Sequence, residues 1–238
     1  MSADRIIPYD RSIIVAADVD SRRLRTLVKK TCLIEGIGGY KIGLQLALQR
    51  GLPDIVARVK DHTNLQLIYD HQKAGNDIPE TGAKFARVCK NAGVDAVILF
   101  PFAGAKSERD WIKACQDSGL GVIIGAHMTQ PEFLFFEGGF LSNDAPEKIF
   151  TIAANSGVRD FVVPGNKAGY VIKYRRLLED IVGIGQFRLY APGFITQGGE
   201  ISEFTAVAGM YWHAIVGRDI YNAVDISNAA SQMTKNIR

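Results

Sequence analysis

Apolar and polar positions along the chain form a repeating pattern, in which a short apolar run is followed by a longer amphipathic stretch. The apolar runs are rich in β-branched side chains, which is typical of strands buried on both faces of a parallel sheet. Eight of them are predicted as strands, over residues 12–17, 39–43, 65–69, 95–100, 121–125, 160–163, 187–190 and 213–216. The alternation of the two patterns indicates an α/β protein.

The intervening stretches place apolar residues one helical turn apart, which predicts amphipathic helices. The clearest cover residues 21–34, 80–92, 107–118 and 147–156; Ser21 is a candidate N-cap, and Gly93, Gly119 and Gly157 are candidate C-caps. Eight strands and about eight helices, at roughly 30 residues per unit, predict a single (β/α)8 TIM barrel over residues 1–238. An open doubly wound sheet is disfavoured, because the turn after the first strand carries no GxGxxG motif.

The composition narrows the class of protein further. With 47% hydrophobic and 22% charged residues, the 238-residue chain is ordinary globular protein, not disordered, collagenous or coiled-coil. A net charge of +3 is too small to predict a nucleic-acid partner, although it suits an anionic small molecule. Three scattered cysteines predict thiols of a reduced, cytoplasmic protein. Because no apolar run approaches ~18 residues and residues 1–11 lack the pattern of a signal peptide, we expect no membrane partner.

In a barrel of this kind the chemistry lies at the C-terminal ends of the strands. The residues at those ends are polar, charged or glycine-rich, and they predict an active site for a phosphorylated substrate. They include Asp18, Lys41, Asp70, Lys73, Asp77, His127, Thr129, Asn166, Pro192, Gly193, Gly217 and Arg218.

The most informative segment, residues 69–82, places two carboxylates and an ammonium group at the end of an apolar strand. Single charges there would be costly to desolvate, whereas Asp70, Lys73 and Asp77 can neutralise one another. Lys41 lies inside another apolar strand and needs a partner, which Asp70 or Asp77 could supply. The alternative is a solvated loop with chance charges, and the position of Lys41 argues against it.

These residues resemble the orotidine 5′-phosphate decarboxylase family, whose hallmark is Asp-x-Lys-x-x-Asp followed by Ile-Pro-x-Thr. Residues 77–81, Asp-Ile-Pro-Glu-Thr, match the second half of the hallmark. Further similar segments follow in the order of the family over nearly the whole chain, at residues 14–18, 41–43, 129–131, 192–193, 197–199 and 216–221.

The first half of the hallmark differs, because this chain reads Asp70-x-x-Lys73-x-x-x-Asp77, one residue longer on each side of the lysine. Positions i and i+3 of a regular strand point to opposite faces, so Asp70 and Lys73 can share a site only if the chain bulges or turns between them. Otherwise His71 or Gln72 could take the place of Asp70.

The resemblance implies decarboxylation of orotidine 5′-monophosphate to UMP and CO₂, in pyrimidine biosynthesis, with no cofactor and no metal. It implies that Lys73 stabilises charge at C6 of the pyrimidine and delivers a proton there, with Asp70, Asp77 and Lys41 completing the catalytic set. It also implies a homodimer in which Asp77 and Thr81 reach into the site of the neighbouring subunit.

The same resemblance implies the substrate-binding residues. Asp18 would bind a ribose hydroxyl, and Thr129 would contact the pyrimidine. Arg218 and Gln197 would hold the phosphate, next to Pro192 and Gly217 in the loops after the seventh and eighth strands. Those two loops are the usual phosphate site of this barrel class.

Two other functions are kept as alternatives. One is a magnesium-dependent sugar-phosphate decarboxylase or aldolase of the same superfamily, although such enzymes carry a small residue where this chain has Ile78-Pro79. The other is a barrel that binds phosphate without catalysis. The aromatic stretch 131–140 predicts either a lid over the base or a subunit contact.

Overall fold

Eight parallel strands close into a barrel, in the order β1 to β8 with each strand hydrogen-bonded to the next. The computed structural model describes residues 5–71, 74–194 and 201–237. The strands are β1 Arg11–Ala16, β2 Ile37–Gly43, β3 Gln66–Asp70, β4 Ala96–Leu99, β5 Gly121–Gly125, β6 Asp160–Val162, β7 Arg188–Ala191 and β8 Trp212–Val216. The predicted (β/α)8 TIM barrel is therefore confirmed, and all eight predicted strands are present. That residues 1–238 form one domain stays a prediction.

Helices occupy the intervals between the strands and follow β8. In the described ranges they are α1 Ser21–Thr31, α2 Leu44–Arg50, α3 Leu52–Lys60, α4 Gly82–Ala92, α5 Ala105–Asp117, α6 Ala145–Asn155, α7 Ala168–Val182, α8 Ile201–Ala208, α9 Arg218–Tyr221 and α10 Ile226–Lys235. Two short 3-10 helices cover Pro79–Thr81 and Phe135–Glu137. Within the described residues, none of these helices has the length and apolar character needed to cross a bilayer.

The helix ends follow local capping chemistry. The N-cap of α1 is Asp20 rather than the predicted Ser21, because the Asp20 carboxylate accepts hydrogen bonds from the backbone N–H groups of Arg22 and Arg23 at 2.8 and 3.1 Å. The predicted C-cap Gly93 ends α4 in the left-handed conformation, with φ of +87°.

The lower end of the barrel is filled by a buried polar network. Asp160 pairs with Arg188 at 3.3 Å and accepts a hydrogen bond from the Tyr190 hydroxyl at 3.0 Å. Nearby, Ser12 and His213 share a hydrogen bond of 2.8 Å, and both side chains are fully buried in the core. Above this network, the barrel interior is packed with isoleucines from different strands, among them Ile14, Ile68, Ile98, Ile123 and Ile215. The filled lower end leaves the C-terminal ends of the strands as the place for a site.

One buried carboxyl group makes the stability of the fold depend on pH. Glu108, in the first turn of α5, is 1% exposed, and burial raises its pKa to about 8, although Arg109 acts in the opposite direction. The unfolded chain releases this proton near the ordinary pKa of 4.5. Stability is therefore lost progressively between about pH 4.5 and pH 8, by up to about 5 kcal/mol in total.

Replacing Glu108 with glutamine should remove this loss, because the amide carries no charge at any pH. We expect Glu108→Gln to raise Tm by roughly 10 °C at pH 9 and to change it little at pH 4.5. Thermal unfolding followed by circular dichroism across this pH range measures the difference. Glu203→Gln, on the exposed surface of α8, is the matched control. A gain of the same size at pH 4.5 and pH 9 would contradict the assignment.

Candidate active site

A cavity of about 650 Å³ opens at the C-terminal ends of the strands, and residues at the ends of all eight strands contribute to its wall. Its size suits a small-molecule ligand. Of the catalytic and substrate-binding residues that the family resemblance implies, seven lie in this wall, namely Asp18, Lys41, Asp70, Thr129, Pro192, Gly217 and Arg218.

A lysine held between two carboxylates forms the charged part of the cavity. Lys41 Nζ lies 3.1 Å from Asp70 Oδ2 and 3.3 Å from Asp18 Oδ1. Burial alone would lower the pKa of Lys41, but the charges of Asp70 and Asp18 more than offset burial and raise the pKa above its ordinary value. Lys41 therefore stays an ammonium ion that fixes both carboxylates at the mouth of the barrel.

Gly43, at the end of β2, provides the space that this cluster needs. A Cβ atom at this position would lie 2.7 Å from Asp18 Oδ1 and 3.9 Å from Lys41 Nζ. Any larger residue would therefore displace Asp18 from its place beside Lys41. This close approach is the physical reason for a glycine two residues after the lysine.

The side chains of Asp70 and His71, at the end of β3, lie on opposite sides of the strand. Asp70 points into the cavity and is buried, with 3% of its surface exposed. His71 faces the other way, where its ring contacts Phe85 of α4 and its Nδ1 lies 2.7 Å from the Tyr69 hydroxyl. Strand alternation therefore turns His71 away from the cavity, and of the two residues only Asp70 lines it.

The chain changes direction soon after Asp70. The carbonyl of Ala74 accepts a hydrogen bond from the Phe100 N–H at 2.9 Å, and Gly75 has a φ of +89° that favours glycine. Gln72 and Lys73 lie outside the described residues, so the place of Lys73 in the cavity stays a prediction.

Asp77 and Thr81 are outside the cavity of their own chain. Asp77 is exposed, and its carboxylate accepts a hydrogen bond from the backbone N–H of Ile78 at 2.7 Å. The Thr81 hydroxyl donates to the carbonyl of Ile78 at 2.7 Å. Asp77 is therefore exposed and Thr81 is half-buried, and neither residue lines the cavity that contains Lys41 and Asp70.

The loops after β7 and β8 form the part of the rim where the sequence predicts a phosphate. Pro192 and Gly193 line the cavity on one side, and Gly217 and Arg218 line it on the other. Arg218 is exposed at the start of α9. Gln197 lies outside the described residues.

Sequence reasoning missed two charged residues next to the cavity. Lys167 Nζ lies 2.9 Å from Glu137 Oε1 and 3.0 Å from His127 Nε2, and this contact joins the loops after β5 and β6. Lys167 directly follows Asn166, the last of the predicted site residues after β6. Glu137 was hidden in the aromatic stretch, of which Phe135, Phe136 and Phe140 are largely exposed.

The fold and the cavity together define a (β/α)8 barrel of the enzyme type, with a lysine–carboxylate cluster and an arginine at the mouth of one cavity. No group of three or more His, Cys, Asp or Glu side chains in the described part of the chain is placed to hold a metal ion. A family model described as "Orotidine 5'-phosphate decarboxylase / HUMPS family" matches residues 11–233, and the chain belongs to this family.

Known proteins agree with this assignment over nearly the whole chain. The orotidine 5′-phosphate decarboxylase of Pyrococcus abyssi is 31% identical over 227 residues, which cover 95% of this chain and 99% of that protein. The crystal structure of the Pyrococcus horikoshii orotidine 5′-phosphate decarboxylase is similar with a TM-score of 0.78 at 27% identity, covering 95% of this chain and 99% of that one. The Methanocaldococcus jannaschii orotidine 5′-monophosphate decarboxylase, complexed with the inhibitor BMP, shares the fold with a TM-score of 0.80 at 24% identity, covering 96% and 99% of the two chains.

Proposed function

We propose that this chain decarboxylates orotidine 5′-monophosphate (OMP) to UMP and CO₂, without a cofactor, in pyrimidine biosynthesis. The observation that carries the proposal is the ion-paired Lys41 and Asp70 in the cavity of a chain that belongs to this family. A barrel that only bound phosphate would gain nothing from two buried charges next to its phosphate site.

The chemistry requires that the bond between C6 and the carboxylate of the substrate breaks while its electron pair stays on C6. Lys73 stabilises that negative charge as an ammonium ion and then transfers a proton to C6, which yields UMP. Lys41 holds Asp70 at 3.1 Å and thereby fixes the carboxylate beside the leaving CO₂. Asp18, the second partner of Lys41, binds a ribose hydroxyl.

Arg218 binds the phosphate, which lies far from the reacting carbon. Replacing Arg218 with alanine should raise KM and lower kcat/KM for OMP by about 10²-fold, because two charge-assisted hydrogen bonds are lost. Orotidine, which lacks the phosphate, should be affected by about twofold at most. Steady-state kinetics with both substrates measure the difference, with Arg87→Ala on the exposed face of α4 as the matched control. Equal losses for both substrates would make Arg218 a structural residue.

A homodimer with shared sites is part of the proposal. The support is that Asp77 and Thr81, which the family resemblance assigns to the site, lie outside the cavity of their own chain. In a two-fold dimer, the same pair can complete the cavity of the neighbouring subunit. A cytoplasmic location stays a prediction.

The proposed function is tested by incubating the purified protein with OMP. The loss of orotate absorbance and the appearance of UMP are then measured. We expect turnover that survives EDTA. Turnover of a sugar phosphate that EDTA abolishes would support the magnesium-dependent alternative instead. Binding of OMP without turnover would support the non-catalytic barrel.

A further inference from the structure

A lysine, a glutamate and a histidine join the loops after β5 and β6 at the edge of the cavity; we call Lys167, Glu137 and His127 the latch. Lys167 Nζ donates to both carboxylate oxygens of Glu137, at 2.9 and 3.0 Å, and to His127 Nε2 at 3.0 Å. It also donates to the backbone carbonyl of Gln130 at 3.3 Å. The ammonium group therefore ties three parts of the β5 loop to one point on the β6 loop.

The chemistry of the latch fixes the protonation of His127. An ammonium group can only donate, so Nε2 accepts and Nδ1 carries the proton that it donates to the Tyr174 hydroxyl at 2.7 Å. Burial, supported by the charge of Lys167, lowers the pKa of His127 to about 4, so the ring is neutral at physiological pH. The Phe133 ring stacks on it with a centroid distance of 5.4 Å. His127 is thus a rigid support for Lys167.

The hydrogen bonds of Glu137 likewise favour its charged form. Burial raises its pKa, but hydrogen bonds from Lys167 and from the backbone N–H groups of Leu134 and Phe133 more than offset burial and leave the pKa below its ordinary value. The side chains of Lys167 and Glu137 are 16% and 19% exposed, so the ion pair is better shielded than the surface pairs of this chain.

The latch acts on residues that line the cavity. Asn166, next to Lys167, donates a hydrogen bond to the carbonyl of Thr129 at 3.1 Å, while Lys167 donates one to the carbonyl of Gln130. Two successive carbonyls of the β5 loop are therefore held by two successive residues of the β6 loop. Thr129 and Gln130 both line the cavity, in the wall from β4 to β6. In an eight-stranded barrel this wall lies across from β8, β1 and β2, which carry Arg218, Asp18 and Lys41.

We propose that Lys167 is a positioning residue that, together with Glu137, holds residues 129–130 in the conformation that receives the base of the nucleotide. The proposal rests on the proposed function, because it assumes a nucleotide whose phosphate lies at Arg218. The latch thereby sets affinity for the base end and leaves the phosphate end unaffected. If the loop without the latch spends a tenth of its time in the binding conformation, affinity for a ligand that uses the base falls by about tenfold.

Titration calorimetry with two ligands tests this, because UMP and ribose 5-phosphate share the phosphate and the ribose and differ in the base. We expect Lys167→Met to weaken the binding of UMP by about tenfold and the binding of ribose 5-phosphate by less than about twofold. Glu137→Gln, a smaller change, should also weaken the binding of UMP. The double variant should bind UMP no more weakly than Lys167→Met does, since the two residues act as one unit. Lys167→Arg keeps the charge and the donors and should restore UMP affinity to within about threefold of wild type.

The matched control is Lys173→Met, which removes the ion pair of Lys173 with Glu147 between α7 and α6, outside the cavity. It should leave both ligands unchanged. The inference would be overturned if Lys167→Met weakened the binding of UMP and of ribose 5-phosphate equally. It would also be overturned if a folded Glu137→Gln variant bound UMP as the wild type does. In both cases OMP turnover by the wild type would still support the proposed function. A wild type that neither turns over OMP nor prefers UMP would overturn both.

Discussion

Replacing Lys73 with alanine is expected to lower kcat for OMP by at least about 10³-fold, because in the proposed mechanism Lys73 supplies both the cation that stabilises charge at C6 and the proton that C6 receives. Affinity for UMP should change much less, since the phosphate and ribose contacts are untouched. Stopped assays of UMP formation measure the residual rate, and titration calorimetry measures the affinity.

Two controls separate this loss from a loss of structure. Lys84→Ala removes an exposed lysine from the neighbouring helix α4 and should leave turnover unchanged. Circular dichroism and Tm should match wild type for both variants. A folded Lys73→Ala protein with more than about a tenth of the wild-type kcat would remove Lys73 from the reaction.

The fold could be predicted from the sequence because each buried strand carries its own signal. Strands such as β4 and β5 are apolar on both faces, since one face meets the barrel interior and the other meets the helices. Helix bounds were less accurate where side-chain chemistry competes with periodicity. The predicted helix 80–92 begins at Gly82, because Pro79–Thr81 form a separate 3-10 turn, and α1 is capped by Asp20.

The charged cluster was predictable for a different reason. A lysine inside an apolar strand must find a carboxylate, and in a barrel the carboxyl ends of neighbouring strands meet, so Lys41 pairs with Asp70. Strand alternation then distinguishes Asp70 from His71 once the register of β3 is known, because Asp70 lies opposite Gly43 in the neighbouring strand.

The latch could not be predicted in the same way. Lys167 and Glu137 are 30 residues apart and belong to loops, whose shape has no periodic signal. Their contact depends on where the 3-10 turn Phe135–Glu137 places the carboxylate, and local sequence does not specify that position.

Asp77 is the residue for which the isolated chain and the proposed mechanism differ most. It is exposed and lies outside the cavity, next to the exposed Ile78. An exposed aspartate replaced by alanine usually changes stability by no more than about 0.5 kcal/mol. If the carboxylate serves the neighbouring subunit, Asp77→Ala should nevertheless be almost inactive while folding normally.

Mixing two inactive variants measures which subunit Asp77 serves. Lys73→Ala and Asp77→Ala are prepared separately, combined in equal amounts and allowed to exchange subunits. If Asp77 acts across the interface, half of the dimers are mixed and each has one intact site, so about a quarter of wild-type activity should return. The control pair, Lys73→Ala with Asp70→Ala, should recover nothing, because the proposal assigns both residues to the cavity of the same chain. Recovery in neither mixture, with exchange proven by differently tagged subunits, would mean that Asp77 does not act in trans, and the shared-site dimer would be wrong.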